Sequence, residues 1–140
     1  MRNTTNPGRV LVVEDEPIVN MAVSEALRDD GFEPISVYTA EEGLAILERE
    51  RDVRVVFTDV NLPGQLDGIA LVHEVRRRWP QIEVLVTSGN RRPQMAEWDS
   101  GGWYGRFVEK PYPPAAVVRR IQDIVSSRDG GGSGSSGYGA

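Results

Sequence analysis

The chain contains no cysteine, which excludes disulfides and thiolate metal sites. It has one histidine, His73, so a histidine-rich metal centre is excluded as well. No apolar run approaches the roughly 20 residues that a membrane-spanning helix needs. The opening residues, "MRNTTNPGR", lack the apolar core of a signal peptide. An excess of positive charge is also missing. The formal net charge is -5, which argues against nucleic acid as a partner. These absences point to a soluble, cytoplasmic chain that neither enters a membrane nor binds nucleic acid. Its 140 residues suit one domain with a real core.

What is present is a series of solid apolar runs. Val10–Val13, Val53–Thr58 and Ile82–Thr87 are short and rich in β-branched residues, and they do not alternate with polar ones. Strands of this kind are buried on both faces. Ile35–Tyr38 and Arg106–Val108 read as two weaker strands. Helical spacing appears between them. Pro17 opens a helix in which Ile18, Val19, Ala22, Val23, Ala26 and Leu27 recur up to Gly31. "TAEE", Thr39–Glu42, has the form of a capping box. Ile69, Val72, Val75 and Trp79 mark a third helix that Pro80 stops. Val117, Val118, Ile121, Ile124 and Val125 mark a last one. The stretch from Ser88 to Gly105 is glycine-rich, and a fourth helix there would be short or irregular. Strands alternating with helices predict an α/β fold: a doubly wound, five-stranded parallel sheet with helices on both faces. The expected organisation is an N-terminal extension over residues 1–8, a domain over 9–128, and a flexible Gly/Ser-rich tail over 129–140.

Ligands in such sheets bind beyond the C-terminal ends of the strands. Glu14 and Asp15 follow the first strand. Asp59 follows the third, Thr87 and Ser88 end the fourth, and Lys110 follows the fifth. The topology therefore gathers them at one edge. Carboxylates about 4 Å apart repel by roughly 4 kcal/mol at an effective dielectric of 20, and a divalent cation removes that repulsion. An all-oxygen donor set selects a hard ion such as Mg²⁺. One carboxylate can still attack phosphorus, while Lys110 and a hydroxyl bind the incoming phosphoryl oxygens. Each group alone has a plainer reading: acids beside a helix start, a turn aspartate, a solvated lysine. Their joint placement favours the site. His73, beside Glu74 and Arg76–Arg78, reads as a solvated helix face. Trp79, Trp98 and Trp103 read as packing residues.

"VLVVEDEP", "VVFTDVNLPG", "LDG", "VLVTSG" and "FVEKPY" occur in the order and near the spacing of one family. From about Arg9 to Ser127 the chain resembles the receiver domain of bacterial two-component response regulators, and in particular the stand-alone chemotaxis-regulator type. The resemblance implies strand order 2-1-3-4-5. It implies that Asp59 is the phosphoacceptor, that Asp15 is a direct metal ligand, and that Glu14 acts on the metal through water. Asn61 would give its backbone carbonyl to Mg²⁺ (or Mn²⁺). Thr87 would move its hydroxyl onto the phosphoryl group, Lys110 would pair with it, and Phe107 would be the aromatic switch. The Lys110–Pro111 bond would be cis. Asn61 and Gly89 would flank the path of the hydrolytic water. The Asp59–Gly68 loop is one residue longer than the commonest family pattern, and the output surface formed by the fourth helix is not evident.

Three rivals fit less well. Aspartyl phosphatases of similar fold carry a D-x-D arrangement after the first strand, where this chain has Glu-Asp-Glu. Nucleotide-binding loops of the G-x-G-x-x-G or G-K-[ST] type are absent. A degenerate receiver would lack the aspartate or the lysine, and both are present. The expectation is a phospho-accepting regulator that is not an enzyme beyond catalysing its own phosphorylation and autodephosphorylation. Its expected partners are a sensor histidine kinase or histidine phosphotransfer protein and an unidentified downstream protein. The resemblance allows a phosphorylation-dependent dimer. The remaining residues leave no room for an output domain, so the expected forms are a stand-alone regulator or a receiver from a hybrid kinase.

Overall fold

The computed structural model describes residues 8–89 and 107–129. Five strands, β1 (Arg9–Val13), β2 (Glu33–Val37), β3 (Val53–Asp59), β4 (Glu83–Ser88) and β5 (Phe107–Glu109), form one sheet. Its order is β2-β1-β3-β4-β5, and every neighbouring pair is parallel. The helices are α1 (Pro17–Asp29), α2 (Ala40–Arg49), α3 (Gly68–Arg78) and, after β5, α4 (Pro114–Asp129). The expected short helix between β4 and β5 falls on residues 90–106 and lies outside the described residues, as do Trp98, Trp103 and the Gly/Ser tail from residue 130.

Central position explains why β1 is apolar from Val10 to Val13. Val10 and Val12 pack with Val23, Leu27, Val117 and Ile121 of α1 and α4. Leu11 and Val13 pack with Leu47, Leu71 and Val75 of α2 and α3. Both faces of the strand are therefore covered, and all four residues are fully buried. β2 begins at Glu33, two residues before the run that the sequence suggested. Pro34 lies within it, which an edge strand tolerates because the missing N–H has no partner to lose.

The helix starts follow local chemistry. Pro17 occupies the first turn of α1. Thr39 and Glu42 form a complete capping box on α2, and the Asp67 side chain caps α3 by accepting from the Ala70 N–H at 2.9 Å. α3 ends before Pro80, and the Arg78 guanidinium lies over the Trp79 ring at 4.5 Å. One detail of α1 departs from the apolar pattern. Ile18 is 79% exposed, and the buried face is made by Asn20, Val23, Ser24 and Leu27. Two polar residues thus stand at core positions. They are accommodated because Asn20 Nδ2 donates to the carbonyls of Glu14 (3.0 Å) and Val37 (2.9 Å), and its Oδ1 accepts from Ser24 and Ser36. No helix among the described residues is long and apolar enough to cross a membrane.

Candidate phosphoryl and metal site

Strand register builds the site. Asp59 pairs with Thr87, and Thr87 and Ser88 pair with Val108 and Glu109. The main chain carries the alignment past the strand ends. Val60 N–H donates to the Thr87 carbonyl (2.8 Å), Lys110 N–H to the Ser88 carbonyl (3.0 Å), and Glu14 N–H to the Val37 carbonyl (3.2 Å). Asn20 holds the Glu14 carbonyl from below. Gly68 closes the loop after β3 with an N–H bond to the Val60 carbonyl (2.8 Å). A Cβ at Gly68 would lie 1.9 Å from the Asp59 carbonyl oxygen, so only glycine allows this approach.

The Asp59 carboxylate is 4% exposed and bonded on both oxygens. Oδ2 accepts from Lys110 Nζ at 2.6 Å and Oδ1 from the Asn61 N–H at 2.9 Å. Glu14 is fully buried. Its Oε2 accepts from the Glu16 N–H at 3.1 Å. Its Oε1 lies 3.1 Å from Lys110 Nζ but outside hydrogen-bond geometry, so that oxygen has charge contact without a bond. Asp15 is exposed. One oxygen from each of Glu14, Asp15 and Asp59 lies within 4.8 Å of the others.

The charges are unevenly shared. Burial pushes the Lys110 ammonium toward its neutral form, but the hydrogen bond to Asp59 and the close carboxylates of Asp59 and Glu14 outweigh this and raise its pKa. Burial also raises the pKa of Glu14, and the nearby Asp59 charge adds to this against the opposing pull of the Glu16 N–H and Lys110. The ammonium is thus well satisfied while Glu14 is not. The reason is geometric: Lys110 sits closer to Asp59 and gives its hydrogen bond there. Two of the three clustered carboxylates, Glu14 and Asp59, share Lys110, the donors of the cluster are all oxygen, and one buried carboxylate oxygen is left without a hydrogen bond. That donor set fits a hard divalent ion.

Thr87 is fully buried, and its hydroxyl has no hydrogen-bond partner. Ser88 is buried beside it at the end of β4. Gly89 is exposed, and a Cβ there would touch Lys110 Cδ at 3.5 Å. The Lys110–Pro111 peptide is cis. Phe107 is half-buried against the core beside α2 and α3, and its carbonyl accepts from Arg120 Nη1 at 3.2 Å. The structure therefore brings Glu14, Asp15, Asp59, Asn61, Thr87, Gly89 and Lys110 to one edge, with Phe107 at the base of β5.

Three residues near the site escaped the sequence reading. Asn20 and Glu41 act through hydrogen bonds to distant main chain. Tyr112 follows the cis peptide and packs edge-on against Phe57 (centroids 6.0 Å apart). Its buried hydroxyl has no partner, and burial, followed by the Glu14 charge, raises its pKa. "FVEKPY" contained it without marking a role.

A family model for the response regulator receiver domain matches residues 10–122. The chain belongs to this family. It is 40% identical over 110 residues to the response regulator protein FleR of Pseudomonas aeruginosa, spanning 79% of this chain and 23% of that protein. It is 33% identical over 121 residues to the hydrogenase transcriptional regulatory protein HoxA of Cupriavidus necator, spanning 85% of this chain and 24% of that protein. The receiver thus covers about a quarter of the length of these relatives. Among solved structures, a CheY-like receiver domain protein from Methanospirillum hungatei superposes with a TM-score of 0.80 at 22% identity, covering 89% of this chain and 98% of that one. That likeness supports the fold, including the 2-1-3-4-5 strand order.

Proposed function

We propose that this receiver takes a phosphoryl group onto Asp59 from a histidine kinase or a histidine phosphotransfer protein, and that the phosphorylated form switches conformation to act on a downstream protein. One observation carries the reading. The buried Asp59 carboxylate is held between Lys110 Nζ and the Asn61 N–H, and its β-sheet neighbour Thr87 has a buried hydroxyl without a partner. An Asp59 oxygen attacks phosphorus while the bond from phosphorus to the donor histidine nitrogen breaks. The electron pair returns to that nitrogen. Lys110 offers its ammonium to the new phosphoryl oxygens, and the Thr87 hydroxyl supplies a hydrogen bond that it lacks in the resting state. Hydrolysis later restores the carboxylate and releases phosphate.

Glu14, Asp15, Asp59 and the Asn61 carbonyl would hold Mg²⁺ or Mn²⁺, with Glu14 acting through water. The ion would neutralise charge that builds on the phosphoryl oxygens. The chemistry of the chain is confined to its own phosphorylation and dephosphorylation. A cytoplasmic location and no direct contact with nucleic acid belong to the same reading, and Thr87 with Phe107 forms its switch. The segment could serve alone or within a longer regulator, as in the relatives it matches.

Incubation with a small-molecule phosphodonor and Mg²⁺ tests the reading. Mass spectrometry should show one added phosphoryl group on the parent and none on Asp59→Asn. Full labelling of Asp59→Asn would place the acceptor elsewhere.

A further inference from the structure

We propose that Glu41, in the first turn of α2, is a positioning residue that clamps the Asp59–Gly68 loop and thereby sets Asn61 against Asp59. The inference rests on the receiver reading given above. Glu41 and Glu42 are adjacent but divide their work. Glu42 completes the capping box by accepting from the N–H groups of Tyr38 and Thr39. Glu41 reaches across to the loop, where its Oε2 accepts from the N–H groups of Gln65 (3.0 Å) and Leu66 (3.1 Å). Gly64 makes room for it. That glycine has φ +99°, and a Cβ there would lie 2.9 Å from Glu41 Oε1. The carboxyl is held below its usual range chiefly by its own main-chain N–H and that of Leu66.

The loop has few other hydrogen-bonded anchors. At its base, Gly68 bonds to Val60, and Asn61 N–H bonds to Asp59 Oδ1. Towards its tip, the Leu62 and Leu66 side chains pack against the core, and the Glu41 carboxylate fixes the main chain of Gln65 and Leu66 by hydrogen bonds. A loop one residue longer than the common pattern has more freedom to lose on ordering. Glu41 supplies an external point that limits this freedom. Asn61 stands between base and tip, so its placement depends on both. It is the residue whose carbonyl would face the cation and whose side chain would flank the path of water.

Calorimetric Mg²⁺ titration and amide exchange of the parent, Glu41→Ala and Glu41→Gln test the proposal. In Glu41→Ala the Gln65 and Leu66 amides should exchange faster. Its Mg²⁺ dissociation constant should rise by at least about fivefold, the low end of coupling between distinct sites. Its melting temperature without Mg²⁺ should hardly move, because Glu41 is on the surface. Glu41→Gln keeps an acceptor oxygen and should stay close to the parent in both measurements. Faster exchange in Glu41→Ala with unchanged Mg²⁺ affinity would show that the clamp does not set the site. Equal loss in both variants would assign the effect to charge, and either result overturns the proposal. A parent that fails to bind Mg²⁺ would overturn the receiver reading itself, and this inference with it.

Discussion

The two edges of the sheet handle charge in opposite ways. At the N-terminal edge, Arg9 is bonded to Glu50 at 2.7 Å and faces Glu33 at 3.6 Å, while Arg49 also reaches Glu50 at 3.8 Å. Two arginines meet two glutamates. The pKa of Arg9 is raised, chiefly by its bond to Glu50, and that of Glu50 is lowered, chiefly by its bond to Arg9. Each partner favours the charged form of the other. At the C-terminal edge, Glu14, Asp15 and Asp59 cluster, Glu14 and Asp59 share Lys110, and burial leaves Glu14 above its ordinary range. Among the described residues, Thr87, Glu14 and Tyr112 each keep a buried polar atom without a hydrogen bond there, whereas the opposite edge has one such atom, Arg9 Nε. Pairing without surplus stabilises a fold. An unbalanced, partly unsatisfied cluster is suited to receive a ligand.

The largest expected effect comes from removing the shared cation. Lys110→Met leaves Glu14 and Asp59 facing each other in a buried place. The variant should lose about 3 kcal/mol of stability without Mg²⁺, the low end for breaking a buried pair. Mg²⁺ should restore much of it. Denaturant unfolding with and without Mg²⁺ measures both. Arg9→Met, at the balanced edge, should show no such rescue.

The edges should also answer pH in opposite senses. The pKa of Glu14 is raised in the folded state, so its contribution is present at and below the ordinary value of 4.5 and is lost as pH rises through the higher folded value. Glu50 is lowered, so its contribution is present above 4.5 and is lost as pH falls through the lower folded value. At neutral pH without Mg²⁺, Glu14→Gln should therefore raise the melting temperature and Glu50→Gln should lower it. Melting curves on both sides of pH 4.5 check the signs. Two shifts of the same sign would dissolve the contrast between the edges.

The sheet and the cluster at its C-terminal edge were legible in the sequence, because they rest on short-range signals, whereas the Arg9–Glu50 pair of the other edge spans 41 residues. Solid apolar runs marked the buried strands, and the residues that follow those runs fell together once the topology was parallel. Thr39 and Glu42 announced α2 from three residues apart. What remained hidden acts at long range or breaks a pattern. Glu41 meets Gln65 across 24 residues, and no local motif records that. Asn20 at a core position has no local signature because its partners Val37 and Ser36 belong to another element, and Ser24 is accommodated by bonding to Asn20 Oδ1. Ile18 matched the helical period yet faces solvent for the same reason: Asn20 holds the rotation of α1. β2 was entered late because Glu33 and Pro34 look like a loop when the sheet edge is not known.

A smaller effect concerns how long the phosphoryl group lasts. Gly89 offers no side chain beside Lys110, and Asn61 is small. Water should reach phosphorus readily in the parent. A Cβ at Gly89 would meet Lys110 Cδ at ordinary contact distance, so Gly89→Tyr can start a side chain there without a clash. It should lengthen the phosphoryl lifetime several-fold while leaving Asp59 able to accept. Autodephosphorylation of the two proteins in the same Mg²⁺ buffer measures this, and equal decay would show that access at Gly89 does not limit hydrolysis.

The most direct test of the charge-deficient edge is its response to Mg²⁺ alone, with no phosphodonor present. A ligand that binds only the folded state raises the melting temperature with its concentration. The parent and Glu50→Gln should show the same Mg²⁺-dependent rise, and Asp15→Asn should show little or none. An undiminished rise in Asp15→Asn, or its loss in Glu50→Gln, would place the ion away from Glu14, Asp15 and Asp59 and contradict the account.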